Sequence, residues 1–314
     1  PAAADRVLGG WAPRTRRAVD RDWADFTAWC AANGRQALPA TGATLASYVT
    51  HLLDAAPAPA SVSRAIGIIQ AVHAAADHAV NAKQARLALR SYRREWAAGG
   101  GRVRSAAAVS AEELAAMAAA APEGLPGLRD RVVITLGWAM MARRSELSGL
   151  DIGDIRITEE GLEVFIATSK TDKDSVGATV AVPYGTHLLT CPVRTVRAYL
   201  DALADAGVAS GPLLRGVDRR GRIAGTPGTT IPGSGRLSGH AVNAIVQRLA
   251  EKAGLEGVTA HSLRSGAATA AARGGAQRAD IARQGRWQPT STAVDAYIRP
   301  ADAWRDNPIR RTGI

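Results

Sequence analysis

The chain has 314 residues, 46% hydrophobic and 21% charged, enough for about two domains with real cores and unlike a disordered composition. Its two cysteines, Cys30 and Cys191, lie far apart with no CxxC and no Cys/His cluster, which excludes a disulfide framework and a zinc ribbon and fits a reducing cytoplasm. With 39 basic and 28 acidic residues the formal charge is +11, which points to a polyanionic partner, nucleic acid first, with an arginine-rich genomic composition as the competing explanation.

The first hundred residues read as all-helical. Thr15 can cap a helix over 16–32, where Val19, Trp23, Phe26 and Cys30 form one apolar stripe and Asn33-Gly34 is a stop signal. Thr41 or Thr44 starts a second helix over 45–53, and Pro57 and Pro59 break the chain after it. Ser61 opens a third, with Ile66, Ile69, Val72 and His73 at helical spacing. A fourth over 83–96 carries Arg86, Arg90, Arg93 and Arg94 on one face, which is either a polyanion-binding or a solvated face. Three glycines at 99–101 end this unit, so the expected division is a helical domain over 1–98, a linker over 99–106 and a second domain over 107–314.

The second unit is mixed. Ser110-Ala-Glu-Glu113 has the capping-box pattern of a helix start, and 128–150 reads as one or two buried helices. Apolar runs over 162–167 and 178–182 flank the polar turn Ser169-Lys-Thr-Asp-Lys-Asp, the pattern of a β-hairpin. Helices resume near Cys191-Pro192 and continue through Leu203, and a Gly-, Pro- and Arg-rich loop covers 207–235. The longest apolar stretch, 132–142, is far shorter than the ~20 residues that span a bilayer, and the N-terminus lacks a secretory pattern, so a cytoplasmic, nucleoid-associated protein is expected.

The common catalytic signatures are missing. There is no GxxxxGK[ST] loop, no HExxH, no GxSxG, no GxGxxG and no acidic triplet suited to two-metal nuclease work, so no cofactor or metal is expected. Cationic, imidazole and aromatic groups remain: Arg143 with Glu146, Lys170 on the hairpin turn, His261 and Arg264 at i, i+3, Trp287 and Tyr297. Singly, each has an ordinary structural explanation: a surface ion pair, a solvated turn lysine, a capping histidine, a packed aromatic.

In combination they resemble a family. The stretches Arg143-Arg-Ser-Glu-Leu, Ser169-Lys170-Thr171, Thr259-Ala-His261-Ser-Leu-Arg264-Ser-Gly, Gly285-Arg-Trp287 and Asp295-Ala-Tyr297-Ile-Arg are similar, in order and near spacing, to the tyrosine site-specific recombinases, the phage integrase family, and most closely to its Cre-type members. Thr27-Ala-Trp29-Cys30 extends the likeness into the first domain. The resemblance implies a mainly α fold with a small antiparallel β-sheet, in which a helical DNA-binding domain and a catalytic domain form a C-shaped clamp. It also implies a role for each motif residue. Arg143 and Arg264 would clamp the scissile phosphate, as planar, permanently charged forks suit a phosphorane. His261 would donate to the phosphate or help take the nucleophile's proton, and Trp287, where many relatives carry histidine, would offer its indole N–H. Tyr297 would be the nucleophile, a phenol with a pKa near ~10 that needs cations or a base to ionise. Lys170 would protonate the 5′ oxygen, with Lys173 as the competing acid. Glu146 would orient a clamp residue.

The resemblance further implies DNA contacts by Thr15, Arg17, Ser61, Ser63 and Arg64 in the first domain and by His240 and Asn243 in the second. Arg64 would fork to a guanine or touch only phosphate, and Asn243 would pair an adenine or touch only water. Double-stranded DNA with inverted half-sites, a dimer on each site and a tetramer in the synapse are the implied partners. Trp304 and Ile309 are candidates for tail contacts, in a neighbouring protomer or folded back on their own domain. One spacing departs from the pattern: Trp287 to Tyr297 is ten residues, one more than the Cre type, which a longer loop at Gln288-Pro-Thr absorbs and a shift within the helix does not. Two rivals follow, a type IB topoisomerase or telomere resolvase with the same chemistry, and a DNA-binding protein of this fold that no longer cleaves.

Overall fold

The computed structural model describes residues 13–102, 107–167, 177–218, 220–298, 307, 309 and 312, with side chains described from residue 16. The chain divides into two compact units, 1–104 and 105–314.

Among its described residues the first unit has four helices: α1 (Pro13–Ala32), α2 (Gly42–Asp54), α3 (Pro59–Ala75) and α4 (Lys83–Ala98). The expected stripe on α1 turns inward: Val19, Phe26 and Cys30 are buried, and Trp23 packs against them from the rim. Phe26 and Cys30 meet Leu45, Tyr48 and Val49 of α2, Val62, Ile66 and Ile69 of α3 and Leu89 of α4 in one core. Of the two candidate caps for α2, Thr41 is the one used, its hydroxyl accepting from Thr44 N at 3.1 Å. α3 starts two residues before Ser61, because Pro59 takes the first turn, where its missing N–H costs nothing. His73 is fully buried. Its Nε2 accepts from Ala40 N at 2.8 Å and its Nδ1 lies 2.7 Å from the Ile69 carbonyl, so both ring nitrogens are satisfied by a neutral imidazole.

The second unit begins with α5 (Ala111–Ala119), whose cap is the expected box: Glu113 N donates to Ser110 Oγ and Ser110 N to the Glu113 carboxylate. The apolar run 128–150 forms two helices, α6 (Gly124–Ala139) and α7 (Arg144–Gly149). The break falls at Met141, which adopts φ 47, while Ala142 N reaches back to Gly137 O at 2.9 Å and closes the end of α6. Val132, Val133, Ile134 and Leu136 of α6 have no exposed surface and centre the larger core.

A 3₁₀ turn at Ile152–Asp154 leads into an antiparallel sheet, ordered β1 (Ile155–Ile157), β2 (Gly161–Ile166), β3 (Ala178–Pro183). Leu162 pairs with Val182 and Val164 with Val180, so period-2 alternation drives one face into the core. The turn between β2 and β3, with Lys170 and Lys173, lies outside the described residues. Four more helices follow among the described residues: α8 (Pro192–Asp205), α9 (Gly239–Lys252), α10 (Ala260–Arg273) and α11 (Arg278–Gly285). The long loop before α9 is organised by buried Arg215, which donates to the carbonyls of Ser210, Pro212, Ala224 and Ser234. Among the described residues, no helix is long and apolar enough to cross a membrane.

Candidate active site

The site is assembled on the C-terminal end of α6. The carbonyls of Met140 and Met141 have no partner inside the helix and sit at the negative end of its dipole, where cations are favoured. Met141 O accepts from Arg264 of α10, and Met140 O accepts from Arg286 at 3.1 Å. Arg143, two residues beyond the break, precedes α7 and is pinned by Glu146. The carboxylate accepts from Arg143 N at 2.8 Å and from its Nη1 at 2.6 Å.

Glu146 also accepts from Arg286 Nη2 at 2.6 Å. Burial acts to raise its pKa, but Arg286 and the hydrogen bonds from both arginines prevail and hold the carboxyl below its ordinary value. It is therefore ionised at neutral pH and ties α7 to the turn after α11. Arg286 occupies that turn in the left-handed region, φ 55, which costs a non-glycine residue roughly 1–2 kcal/mol. Gly285 before it leaves room for Trp287: a Cβ there would lie 1.8 Å from the indole ring.

Arg264 is buried, and its guanidinium carbon stands 3.7 Å from the centre of the Trp287 ring, a close cation–π stack. Burial pushes its pKa down to about 9, with Arg143 and Arg286 adding to the shift and Glu146 and Tyr297 opposing it, so it stays charged at neutral pH. Its Nη2 is buried and, among the described residues, finds no acceptor. A buried donor without a partner is costly, and a phosphate oxygen is the acceptor that a charged fork suits best.

His261 lies one helical turn before Arg264, at the open face of the site, with Nε2 2.8 Å from Tyr297 Oη. Partial burial of the ring, then Arg264 and Arg143, lower its pKa below 6.5, so it is neutral at pH 7 and free to accept a proton. The Tyr297 ring centroid is 5.6 Å from that of Trp287 and its carbonyl accepts from Thr269 Oγ1 at 3.3 Å. Between Trp287 and Tyr297 the backbone is a non-helical loop up to Val294 and helical from Asp295. Arg278 clasps that loop, donating to Pro289 O at 3.1 Å, Ser291 O at 2.7 Å and the Asp295 carboxylate at 2.7 Å.

Six expected residues, Arg143, Glu146, His261, Arg264, Trp287 and Tyr297, thus converge. Lys170 and Lys173 lie outside the described residues, as do Trp304 and the side chain of Thr15. Ile309 is exposed. Arg17, Ser63 and His240 are exposed, and Ser61 is half-buried. Two candidates for base contacts are already engaged. Arg64 Nε and Nη2 donate to Asp22 at 2.8 and 3.3 Å. Asn243 accepts from Ala260 N and donates to Gln247. Arg286 and Arg278 were not singled out by sequence. Arg286 stands inside a matching motif, which was the available signal, and Arg278 had none. Among the described residues, no group of three His, Cys, Asp or Glu side chains could hold a metal ion.

A helical first unit and a mixed second one with this Arg, His, Arg, Trp, Tyr cluster define a DNA breaking-rejoining enzyme of the tyrosine recombinase class. Comparison with known proteins gives the family. The phage integrase family matches residues 108–303. An integrase/recombinase xerD homolog of Selenomonas ruminantium is 33% identical over 308 residues, covering 96% of this chain and 85% of its own. Among solved structures, XerH site-specific recombinase bound to palindromic difH substrate superposes with a TM-score of 0.56 at 13% identity, over 87% of this chain and 71% of that one. The lambda integrase, residues 75–356, bound to DNA, superposes with a TM-score of 0.51 at 15% identity, over 98% and 97%. The chain belongs to the phage integrase family and is a site-specific recombinase.

Proposed function

We propose that this recombinase cleaves DNA with Tyr297, using Arg143, His261, Arg264 and Trp287 around the scissile phosphate. The observation that carries this reading is Tyr297 Oη at 2.8 Å from a neutral His261, beside a charged Arg264 whose Nη2 has no acceptor among the described residues. His261 accepts the phenolic proton as the phenolate oxygen attacks phosphorus. Negative charge then builds on the non-bridging oxygens, where Arg264 and Arg143 donate and preorganised donors act most strongly. The Trp287 indole holds Arg264 flat and adds an N–H to the same side. The bond from phosphorus to the 5′ oxygen breaks, and that oxygen takes a proton from Lys170 or Lys173. The 3′-phosphotyrosine conserves the bond energy, so a 5′-hydroxyl of another strand reverses the step and regenerates the phenol.

In this reading the protein works at the nucleoid in the cytoplasm, as a dimer on inverted half-sites and a tetramer that exchanges strands through a Holliday junction. Thr15, Arg17, Ser61, Ser63 and His240 contribute the DNA contacts, mainly to phosphate, and Arg64 is held back from a further one by its pair with Asp22. The test is covalent trapping on nicked DNA from the gene's own neighbourhood. Wild type forms a denaturant-stable protein–DNA band that Tyr297→Phe abolishes, and its acid limb lies below pH 6.5 because His261 must be neutral. A band that survives in Tyr297→Phe moves the nucleophile to another residue. Tight binding with no band on any fragment makes the protein a binder without cleavage.

A further inference from the structure

We propose that Asn243 is a positioning residue for His261, capping the helix that carries it instead of reading a base. The inference rests on the reading that His261 serves Tyr297. The first four N–H groups of a helix have no partner within it. In α10 the first belongs to Ala260, and it donates to Asn243 Oδ1 of α9 at 2.9 Å. Only the amide oxygen can accept from an N–H, so this bond fixes the orientation of the amide. Nδ2 then points to Gln247, one turn along α9, and donates to its Oε1 at 2.8 Å.

Each half of the amide therefore already has a partner within the protein. A bidentate contact to adenine needs both, the oxygen for N6–H and the nitrogen for N7. Ala260 adjoins His261, whose Nε2 reaches Tyr297 Oη at 2.8 Å. Thr259 N, bonded to Ser262 Oγ at 3.0 Å, closes the same turn locally without reaching α9. The bond to Asn243 does reach it, and a displacement near 1 Å at a reacting group can cost about a hundredfold in rate. α9 also exposes His240 on its first turn, so the helix that faces solvent with a DNA-contact candidate is the one that steadies the catalytic histidine.

The experiment compares full-length wild type, Asn243→Ala and Asn243→Asp. Amide exchange at Ala260 and His261 is read without DNA, the covalent trapping rate at saturating nicked DNA, and base preference across the bound site. Asn243→Ala is expected to speed Ala260 exchange at least tenfold and slow trapping ten- to a hundredfold, with affinity within about threefold. Asn243→Asp keeps the acceptor and should bring exchange and trapping back to within about threefold, with base preference unchanged. Aspartate cannot donate to adenine N7, so a changed base preference in that variant overturns the proposal, whether or not the alanine variant folds. An aspartate variant no better than alanine in exchange also overturns it. If wild-type protein traps no DNA, the reading of Tyr297 fails, and the exchange data still decide whether Asn243 holds the helix.

Discussion

In the first unit Asp22 accepts hydrogen bonds from Arg21 and Arg64; in the second, Glu146 accepts them from Arg143 and Arg286. Both carboxylates are nearly sealed from water, 7% exposed for the Asp22 side chain and 1% for that of Glu146. The cations differ. Arg21 and Arg64 are 62% and 46% exposed, Arg143 and Arg286 only 19% and 7%. Water can replace Asp22 as a partner for its arginines, so that pair is worth little and can open. Arg286 is shut away from water, and it also donates to the carbonyls of Met140 and Gln284. The same chemical grouping is a releasable contact in the first unit and a fixed frame behind the clustered site residues of the second.

Glu146→Gln should break the frame and produce the largest effect. Removing one charge from a buried pair leaves its partners uncompensated, at a cost of about 3–5 kcal/mol. Thermal unfolding at pH 7 measures that loss, and the trapping rate should fall with it, since Arg143 loses its brace. The pH dependence has a definite sign. The carboxyl is depressed in the folded state, so its contribution is present above the ordinary value of 4.5 and is lost as pH falls through the folded pKa. Wild type should lose stability below pH 4.5 more steeply than the glutamine variant. Parallel curves would mean that Glu146 is not held ionised by its arginines.

Arg278→Gln tests an intermediate case. Its side chain is 42% exposed, like Arg64, yet it has three acceptors on the loop that leads to Tyr297. Exposure predicts a stability loss under ~1 kcal/mol. Its place predicts a trapping rate about tenfold lower at unchanged DNA affinity, since the loop that leads to Tyr297 loses its clasp. Equal trapping rates in the two proteins would show that Val294, buried in the small core beside Trp287, and the Thr269 bond suffice to place the tyrosine.

What the sequence made legible follows the same division. The stripe of Val19, Phe26 and Cys30, the Ser110 box and the alternation of Leu162, Val164 and Ile166 are local patterns, and each became the element it implied. The convergent site residues were legible because they sit in short ordered motifs. What was not legible depends on contacts across long stretches of chain. Arg286 meets a carboxylate 140 residues away, and Arg64 meets one 42 residues away. Met141 ends α6 in a left-handed conformation with no glycine or proline to mark it. The bond from Ala260 N to Asn243, at the start of a helix expected to read DNA, exists only once α10 is packed against it.

The smallest effect is expected from Asp22→Asn, and it tests whether the first unit's pair really is releasable. The variant removes the charge that holds Arg64 and leaves the guanidinium fully available to phosphate. Stability should change by less than ~1 kcal/mol, because two of the three partners are open to water. DNA affinity at low salt should rise about threefold. The plot of log affinity against log salt should steepen by about 0.9, the slope expected for one more phosphate neutralised. Trapping at saturating DNA should not change, since no residue of this pair belongs to the reacting cluster. An unchanged salt slope would mean that Arg64 stays out of the DNA contact whether or not Asp22 holds it. Asp22 would then be a structural brace like Glu146, and the distinction drawn from exposure would fail at its more exposed end.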